Sequence, residues 1–361
     1  MSKPDYRETI EHVRRRPLMY VGYTDHRGVF HLLSIVHCYF ANEVFSGAFS
    51  DLDIVLHPDH SISMTGRNAR PDEMRTRPTT QTRSVQSLAQ DLNLWPETKD
   101  YRLGDSTIGL SLVNSLSQWL TISVKRGKIE HSFRWERGTP VTQSSPFDLI
   151  DCDEITFHWM PDPEIFGASQ ISPDDVERFL ATTGPLLREA AYHFHDQVRG
   201  KQPETYKHEH GVAHLVSYLN APYTPEGKTI RGQSTQQDTN GDAIEIDFAL
   251  QFHREPGVTI MSAANLNFTY GGGTHAIGFH QGFQEVMAEI NDLNERRDRD
   301  LAGPGYTAAI SVRIRCPQYF GPTRSELGNE GIQAQIASFV RKTITDHWES
   351  DERLKRTLEY T

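Results

Sequence analysis

The stretch GLSLVNSLSQWLTISVKRGKI, from Gly109 to Ile129, changes periodicity midway and thereby decides the local fold. Apolar residues recur at helical spacing from Ile108 to Leu120, which predicts a helix. Residues 120–124 and 128–135 then read as strands, and Arg126–Gly127 between them is typical of a hairpin turn. The stretch therefore predicts a helix that leads directly into an antiparallel pair of strands.

A second group of elements lies before and after this stretch. Residues 28–47 form a long apolar run with the pattern of a helix, and Gly47 suits its end. Residues 52–56 and 60–64 read as strands around a turn at Pro58–Asp59, which predicts that they pair. Shorter helices are predicted at residues 6–16, 85–93 and 172–182, and a further strand at residues 155–159.

The last third of the chain interleaves strands and helices. Residues 244–252 carry apolar side chains at every second position, and Pro256–Gly257 turns the chain into a strand at 258–263. A helix at 275–297, a strand at 306–315 and a helix at 330–347 follow. This order predicts a second α+β domain with a crossover connection, which divides the chain into domains 1–219 and 220–361.

Composition and charge limit the function classes. The 361 residues include 37 basic and 48 acidic side chains, a net charge of −11, which disfavours a surface that coats nucleic acid. No apolar run approaches the roughly 20 residues that span a bilayer, and the first residues lack an apolar signal core. Cys38, Cys152 and Cys316 form no CxxC pair, so neither a disulfide framework nor a cysteine zinc site is expected. We therefore expect a reduced, cytoplasmic protein without a membrane partner.

Five segments, taken in order, resemble one family. They are RRRPLMYVGYTD at 14–25, the apolar helix at 28–47, GLSLVNSLSQWLTISVKRGKI at 109–129, PDPEIF at 161–166 and YGGGTHAIGF at 270–279. Together they resemble the ATPase and transducer domains of the DNA gyrase B subunit and its topoisomerase IV counterpart. The resemblance implies an α+β fold, in which a GHKL-type ATPase sandwich domain precedes a transducer domain with a ribosomal-protein-like αβ fold.

The residues that this family uses to hydrolyse ATP are changed on the long apolar helix. The resemblance places the family's water-orienting His at His31, which is kept. It places the general-base Glu at Ile35, which cannot accept a proton, and the magnesium-binding Asn at Tyr39, a poor ligand for Mg²⁺. We therefore expect neither ATP nor magnesium as a cofactor.

Other positions of the family's nucleotide pocket are also changed. An Asp-x-Gly-x-Gly signature that reads adenine is replaced by Gly66-Arg67-Asn68-Ala69-Arg70, and the adenine-side Thr by Ile155. The phosphate loop at 103–109 keeps two glycines but gains an Asp. Arg126 matches an Arg at the pocket rim, and Arg324 stands at the position of the transducer's catalytic Lys. The residues expected to line the altered pocket are Ile35, Asn68, Arg70, Gly109, Arg126 and Ile155.

Two functions of different classes follow. The first is a catalytically degenerate gyrase-B-like protein that acts as a binding or regulatory module, without ATP hydrolysis or DNA cleavage, as a homodimer or with a type II topoisomerase subunit. The second is an enzyme that uses the remodelled pocket for a small organic substrate, with His31, Tyr39 and Arg324 as catalytic candidates. An ATP-binding topoisomerase-related protein is a third interpretation.

Several residues outside the pocket have two interpretations. The pairs His193/His195 and His208/His210 would converge on a metal if they faced each other across a hairpin, whereas a surface hairpin without metal is the simpler interpretation. No metal is therefore assigned. Arg14, Arg15 and Arg16 are expected on a solvated helix face, and Gly271–Gly273 in a tight turn that the fold requires.

Overall fold

The chain forms two compact units in a computed structural model, which describes residues 6–68, 109–141, 152–237, 241–293, 305–321, 324–352 and 355. The first unit contains the described residues up to Leu180 together with Leu187–His208. The second contains Ala181–Leu186 and the described residues from Glu209 onward. The predicted helix at 85–93 lies outside the described residues. Among the described residues, no helix is long and apolar enough to cross a membrane.

An eight-stranded sheet organises the first unit, with the strand order β5-β4-β3-β6-β2-β1-β7-β8. Its strands are β1 (Asp51–Leu56), β2 (Ile62–Arg67), β3 (Ser117–Arg126), β4 (Ile129–Glu136), β5 (Thr139–Pro140), β6 (Glu154–Pro161), β7 (Ala191–Asp196) and β8 (Glu204–Lys207). β1 pairs in parallel with β7, and the other neighbours are antiparallel. The helices of this unit are α1 (Tyr6–Arg15), α2 (Leu18–Val21), α3 (His26–Phe45), α4 (Gly109–Leu116), α5 (Pro163–Phe166) and α6 (Pro173–Thr182), whose last two residues belong to the second unit.

The predicted helix at 28–47 is confirmed as α3, which begins two residues earlier than the apolar run suggests. The carboxylate of Asp25 accepts a hydrogen bond from the backbone N–H of Arg27 at 2.9 Å and so caps the first turn. One face of α3 is buried, including Leu32, Leu33, Val36 and Phe40 at 0% exposure, which places this helix in the core of the unit.

The predicted boundaries of two further elements differ from the structure, each for a local reason. The helix predicted to run to Leu120 ends at Leu116, because β3 begins at Ser117 and pairs with β6 from that residue. The strand predicted at 60–64 is β2, shifted to 62–67. It starts late because Asp59 accepts hydrogen bonds from the backbone N–H and hydroxyl of Ser61, and His60 adopts a positive φ of 66°.

A five-stranded sheet, ordered β12-β11-β14-β10-β9, forms the core of the second unit. Its strands are β9 (Pro225–Gln237), β10 (Ala243–His253), β11 (Val258–Ala264), β12 (Asn267–Phe268) and β14 (Gly305–Ile314). The helices are α7 (Val212–Leu219), α8 (Thr274–Leu293) and α9 (Ile332–Ser350). β11 and β14 are parallel and are joined through α8, which confirms the predicted crossover. The domain boundary at 219/220 stays a prediction, whereas α7 lies within this second unit.

A small three-stranded sheet contains the predicted glycine turn. It is formed by β13 (Gly272–Gly273), β16 (Glu326–Leu327) and β15 (Tyr319–Phe320), in the order β13-β16-β15. Gly272 and Gly273 have φ values of 76° and 114°, which glycine adopts without strain. A Cβ atom on Gly273 would lie 2.1 Å from the carbonyl oxygen of Leu327, so the fold requires glycine here.

The expectation for Arg14 is wrong, because this side chain is paired inside the first unit. Its Nη2 donates to Oδ2 of Asp162 at 2.6 Å, and Nε of Arg137 donates to the same oxygen at 3.0 Å. The Asp162 side chain is 0% exposed and that of Arg14 only 17%. Asp162 also accepts from the backbone N–H of Glu164 and caps α5. By contrast, the Arg15 side chain is 77% exposed, as predicted.

We expect Asp162→Asn to lower the free energy of unfolding of the first unit by about 3 kcal/mol, because it leaves the Arg14 charge without its buried counter-charge. Burial opposes ionisation, but the hydrogen bonds from the Glu164 backbone and Arg14 hold the pKa of Asp162 below its usual range. The carboxylate is therefore ionised at neutral pH. Urea denaturation measures the effect. Glu164→Gln is the control, because that side chain is 60% exposed and its ion pairs should contribute under about 1 kcal/mol. Equal losses in the two variants would contradict the assignment.

Candidate functional site

The candidate site lies along one face of α3, where His31, Ile35 and Tyr39 follow one another at successive turns. His31 is solvent-accessible, yet enough protein surrounds it that desolvation lowers the pKa of its imidazole. The imidazole is therefore neutral at physiological pH and can accept or donate a single hydrogen bond at each nitrogen.

The two altered positions of α3 are packed against apolar groups. Ile35 is 9% exposed and belongs to the buried face of the helix. The Tyr39 ring makes edge-to-face contacts with Phe40 and Phe157, with ring centroids 5.2 and 5.3 Å apart. Neither side chain offers a carboxylate or amide oxygen to water or to a cation. Glu43, one turn beyond Tyr39, is the acidic residue of this helix.

Aromatic rings fill the space next to the end of β2. A Cβ atom added to Gly66 would lie 2.5 Å from Cδ1 of Phe40 and 2.8 Å from Cδ2 of Phe49. A side chain at position 66 therefore has no room beside these rings. The neighbouring strand β6 places Ile155, at 2% exposure, opposite Gly66. This part of the site is an apolar floor, where the family's signature would place a carboxylate.

The edge of the site carries the polar groups. The backbone N–H of Asn68 donates to the carbonyl oxygen of Asp153 at 3.3 Å, and that of Gly127 donates to Oδ2 of Asp153 at 2.6 Å. Arg126 precedes this turn at the end of β3 and is exposed. Burial and the nearby carboxylate of Glu43 raise the pKa of the Cys152 thiol to about 12. Cys152 is thus a neutral thiol and not a nucleophile at physiological pH.

The remaining predicted residues fall in three places. Gly109 opens α4 and is buried. Arg70 lies outside the described residues. Arg324 lies in the second unit at a positive φ of 53°, with its guanidinium carbon 5.8 Å from the centroid of the Tyr319 ring. The first unit therefore contains His31, Ile35, Tyr39, Gly66 and Ile155, whereas Arg324 belongs to the second unit.

The histidine pairs do not assemble as a metal site. Nε2 of His193 lies 3.0 Å from Oδ1 of Asp51, and Nε2 of His195 lies 3.4 Å from Oδ1 of Asp53, so β7 pairs each imidazole with a carboxylate on β1. His208 is buried beside Tyr192, and His210 belongs to the second unit. Among the described residues, no group of three or more His, Cys, Asp or Glu side chains is placed to hold a metal.

Sequence reasoning misses the aromatic residues of the site. Phe40, Phe49 and Phe157 are buried at 0%, 3% and 0% exposure. Their apolar character predicts burial, but only the fold brings the Phe40 and Phe49 rings to Gly66 and the Phe157 ring to Phe40. The glycine itself is the available signal, because a glycine inside a strand often marks a close approach of other groups.

Comparison with known proteins relates this arrangement to one family. The DNA gyrase B family model matches residues 211–359. The DNA gyrase B subunit of Thermotoga maritima is 30% identical over 97% of this chain and 57% of its own length. The DNA topoisomerase 4 B subunit of Staphylococcus aureus is 30% identical over 97% of this chain and 54% of its own length. The chain thus spans about half the length of these curated relatives.

Solved structures show the same fold. The gyrase B-subunit structure from Myxococcus xanthus superimposes with a TM-score of 0.79 at 19% identity, covering 98% of this chain and 99% of that chain. The 43K ATPase domain of Thermus thermophilus gyrase B, solved with an aminocoumarin, gives a TM-score of 0.71 at 21% identity, covering 97% and 93%. The fold is therefore the GHKL-type α+β fold of type II topoisomerase ATPase regions. This chain is gyrase B-like and topoisomerase-related over nearly its whole length.

Proposed function

We propose that this gyrase B-like chain does not hydrolyse ATP and works instead as a binding or regulatory module. The observation that carries the proposal is Ile35, which is buried at the α3 position one turn after His31, where hydrolysis needs a proton acceptor. An alkyl side chain cannot activate water, and no residue within one turn of Ile35 on α3 carries a carboxylate. Glu43 lies two turns further along, beside Cys152.

The described residues also do not fit magnesium or adenine as the family binds them. The Tyr39 phenol packs against aromatic rings, and Mg²⁺ prefers carboxylate, amide or water oxygens. The space beside Gly66 is filled by Phe40 and Phe49, so no side chain at this position can form a hydrogen bond with adenine. We therefore infer that neither ATP nor Mg²⁺ is a cofactor of this chain.

A protein partner suits the surface charge. With a net charge of −11, the chain repels the phosphate backbone, whereas acidic proteins bind protein partners without this penalty. The relatives that it resembles are B subunits of type II topoisomerases. We propose either a second copy of this chain or a type II topoisomerase subunit as the partner, in the cytoplasm, with the second unit acting as a transducer-like domain.

A second candidate function is an enzyme that uses the remodelled pocket. The observation that favours it is His31, which is accessible and neutral on the same face as Tyr39. This pair could hold or move a proton on a small organic ligand, whereas Arg324 stays a candidate from the sequence alone. The buried Ile35 and the rings over Gly66 reduce the room for such a ligand.

Calorimetric titration with Mg·ATP and with a non-hydrolysable analogue tests the main proposal, with a working gyrase B ATPase fragment as the positive control. We expect no heat of binding in the titration and no phosphate release when the chain is incubated with Mg·ATP. Binding at millimolar concentration or tighter would overturn the loss of the nucleotide site. A pull-down with purified gyrase and topoisomerase IV, together with a supercoiling assay, tests the partner. No complex and no change in supercoiling would exclude that partner.

We expect Ile35→Glu to restore no ATP hydrolysis and to lower the free energy of unfolding by about 2 to 3 kcal/mol. The new carboxylate would lose its hydration at a buried position, and Tyr39 still supplies no magnesium ligand. Phosphate release and urea denaturation measure the two effects. Ile35→Leu is the matched control and should change stability by less than about 1.5 kcal/mol. Phosphate release by Ile35→Glu above that of Ile35→Leu would show that the rest of the ATP site is intact.

A further inference from the structure

A second polar cluster lies in the first unit, on the face of the eight-stranded sheet opposite to the candidate pocket. The side chains of Ile62 and Met64 point from β2 to the helix-covered core, on the same face as Gly66, whereas Ser63 lies on the other face. Nε2 of His57 lies 3.0 Å from Oγ of Ser63. Nδ1 of His57 lies 3.2 Å from Oε1 of Gln197. A serine, a histidine and an amide oxygen are therefore linked by two consecutive hydrogen bonds.

The partners fix the direction of the protons in this line. With the Gln197 amide oriented so that its oxygen faces His57, this oxygen accepts, and Nδ1 of His57 carries the hydrogen and donates it. Nε2 then has a free electron pair, and the hydroxyl of Ser63 donates to it. This is the order in which a base activates a serine: nucleophile to base, and base to an orienting group, all within hydrogen-bond distance.

The neighbouring serine, Ser61, has hydrogen bonds that run in the opposite direction, because its histidine donates to it. Oγ of Ser61 lies 2.7 Å from Oδ1 of Asp59 and 2.9 Å from Nε2 of His158. The hydrogen bond from Ser61 holds the pKa of Asp59 below its usual range, so the carboxylate accepts the hydroxyl proton. His158 must then donate to Ser61. The hydroxyl of Ser61 thus donates to a carboxylate, and its imidazole neighbour acts as a hydrogen-bond donor rather than as a proton acceptor.

Asp59 also interacts electrostatically with His57. The field of His57 contributes to the lowered pKa of Asp59, after the larger effect of the hydrogen bond from Ser61. The His158 ring is tilted against that of His57, with ring centroids 4.6 Å apart, and burial lowers the pKa of His158 to about 4, which keeps it neutral. His158 therefore adds no positive charge beside His57.

We propose that Ser63 is a reactive serine that small activated esters acylate, with His57 as the general base and Gln197 as its positioning residue. Oγ of Ser63 attacks the acyl carbon while its proton passes to Nε2 of His57. The bond to the leaving alcohol or phenol breaks, and the leaving oxygen takes that proton from His57. Water then attacks the acyl-serine with the same base, which releases the carboxylic acid and restores Ser63.

The position of Ser63 limits the substrate class. The residue is 7% exposed, between Val55 on β1 and His158 on β6, so only a compact acyl group can reach it. β2 is an internal strand, and its backbone N–H groups serve the ladders with β1 and β6 rather than an oxyanion. We therefore expect turnover of activated short-chain esters but not of amides.

A fluorophosphonate probe and p-nitrophenyl acetate test the proposal on the full chain. We expect one phosphonyl group per chain, on the peptide that contains Ser63, and one equivalent of p-nitrophenolate released in a burst. Ser63→Ala should lose both signals, and His57→Gln should slow labelling at least about 100-fold. Ser61→Ala should keep the labelling. Ser132→Ala, an exposed serine of β4 that pairs with Ser123, is the matched control and should label like the unchanged chain.

Three results would overturn the proposal. The first is no labelling of the unchanged chain under conditions that label a known serine hydrolase. The second is labelling at another residue. The third is a labelling rate that His57→Gln leaves unaltered while thermal unfolding shows that the variant is folded. None of these results depends on nucleotide binding, so the outcome is separate from the proposed function.

Discussion

Gly273→Ala should destabilise the second unit by at least about 4 kcal/mol, which is enough to unfold a marginally stable domain. The new Cβ would lie 2.1 Å from the carbonyl oxygen and 2.4 Å from the backbone nitrogen of Leu327. Both atoms belong to β16, which pairs with β13 at this residue, so neither can move without loss of the small sheet. The φ of 114° at Gly273 adds backbone strain for any L-residue.

The chain offers a control that separates the clash from the strain. Gly257 has a φ of 129° but no atom within 4 Å of its added Cβ. Gly257→Ala should therefore cost only the backbone strain, about 1 to 2 kcal/mol. Urea denaturation of the two variants, followed by circular dichroism, measures the difference. If both variants lose the same stability, the close approach to Leu327 is not what requires the glycine.

Acidification from about pH 6.5 to pH 4 should destabilise both units, by up to about 3 kcal/mol for each buried imidazole. Burial lowers the pKa of His37 in the first unit and of His275 in the second from 6.5 to about 4. In this window the unfolded chain binds a proton at each residue and the folded chain does not, so falling pH favours unfolding. Above pH 6.5 both states are neutral at these residues and the contribution does not change.

Variants that do not titrate should flatten this dependence. His37→Gln keeps a side chain that can bond the hydroxyl of Tyr192, which lies 2.8 Å from Nε2 of His37. His275→Gln does the same for Thr269, at 3.0 Å. Thermal unfolding at pH 7 and pH 4.5 measures the slope of each variant. His131→Gln, the same substitution at an exposed residue, is the control. A full slope in the double variant His37→Gln/His275→Gln would refute the explanation.

The elements that the sequence predicts well are those with a long, one-sided pattern. The apolar residues of α3 and β10 recur at periods of 3.6 and 2, which match the face that each element turns to its core. The sequence pattern misplaces the junction between α4 and β3 by four residues, because the strand starts where pairing with β6 becomes available. It also misassigns Arg14, because the partner of this residue, Asp162, is 148 residues away in the chain.

At the candidate site, the sequence predicts chemistry better than shape. The absence of a proton acceptor at Ile35 and of a magnesium ligand at Tyr39 can be read from the residue types alone. The apolar floor over Gly66 depends on two rings, Phe40 and Phe49, that reach it from different elements. The line of His57, Ser63 and Gln197 has no sequence signature, because it joins a turn, a strand and a distant loop residue.

The parallel pairing of β1 with β7 fixes the order in which the first unit can assemble. β1 ends at Leu56, but its neighbour β7 ends only at Asp196. The ribosome must therefore add about 140 residues after β1 before this strand has both of its partners. During synthesis β1 is an edge strand with an unpaired row of backbone groups, which favours pairing with other chains. We expect fragments that end before Ala191 to aggregate, and folding on the ribosome to be completed only after β7 has emerged.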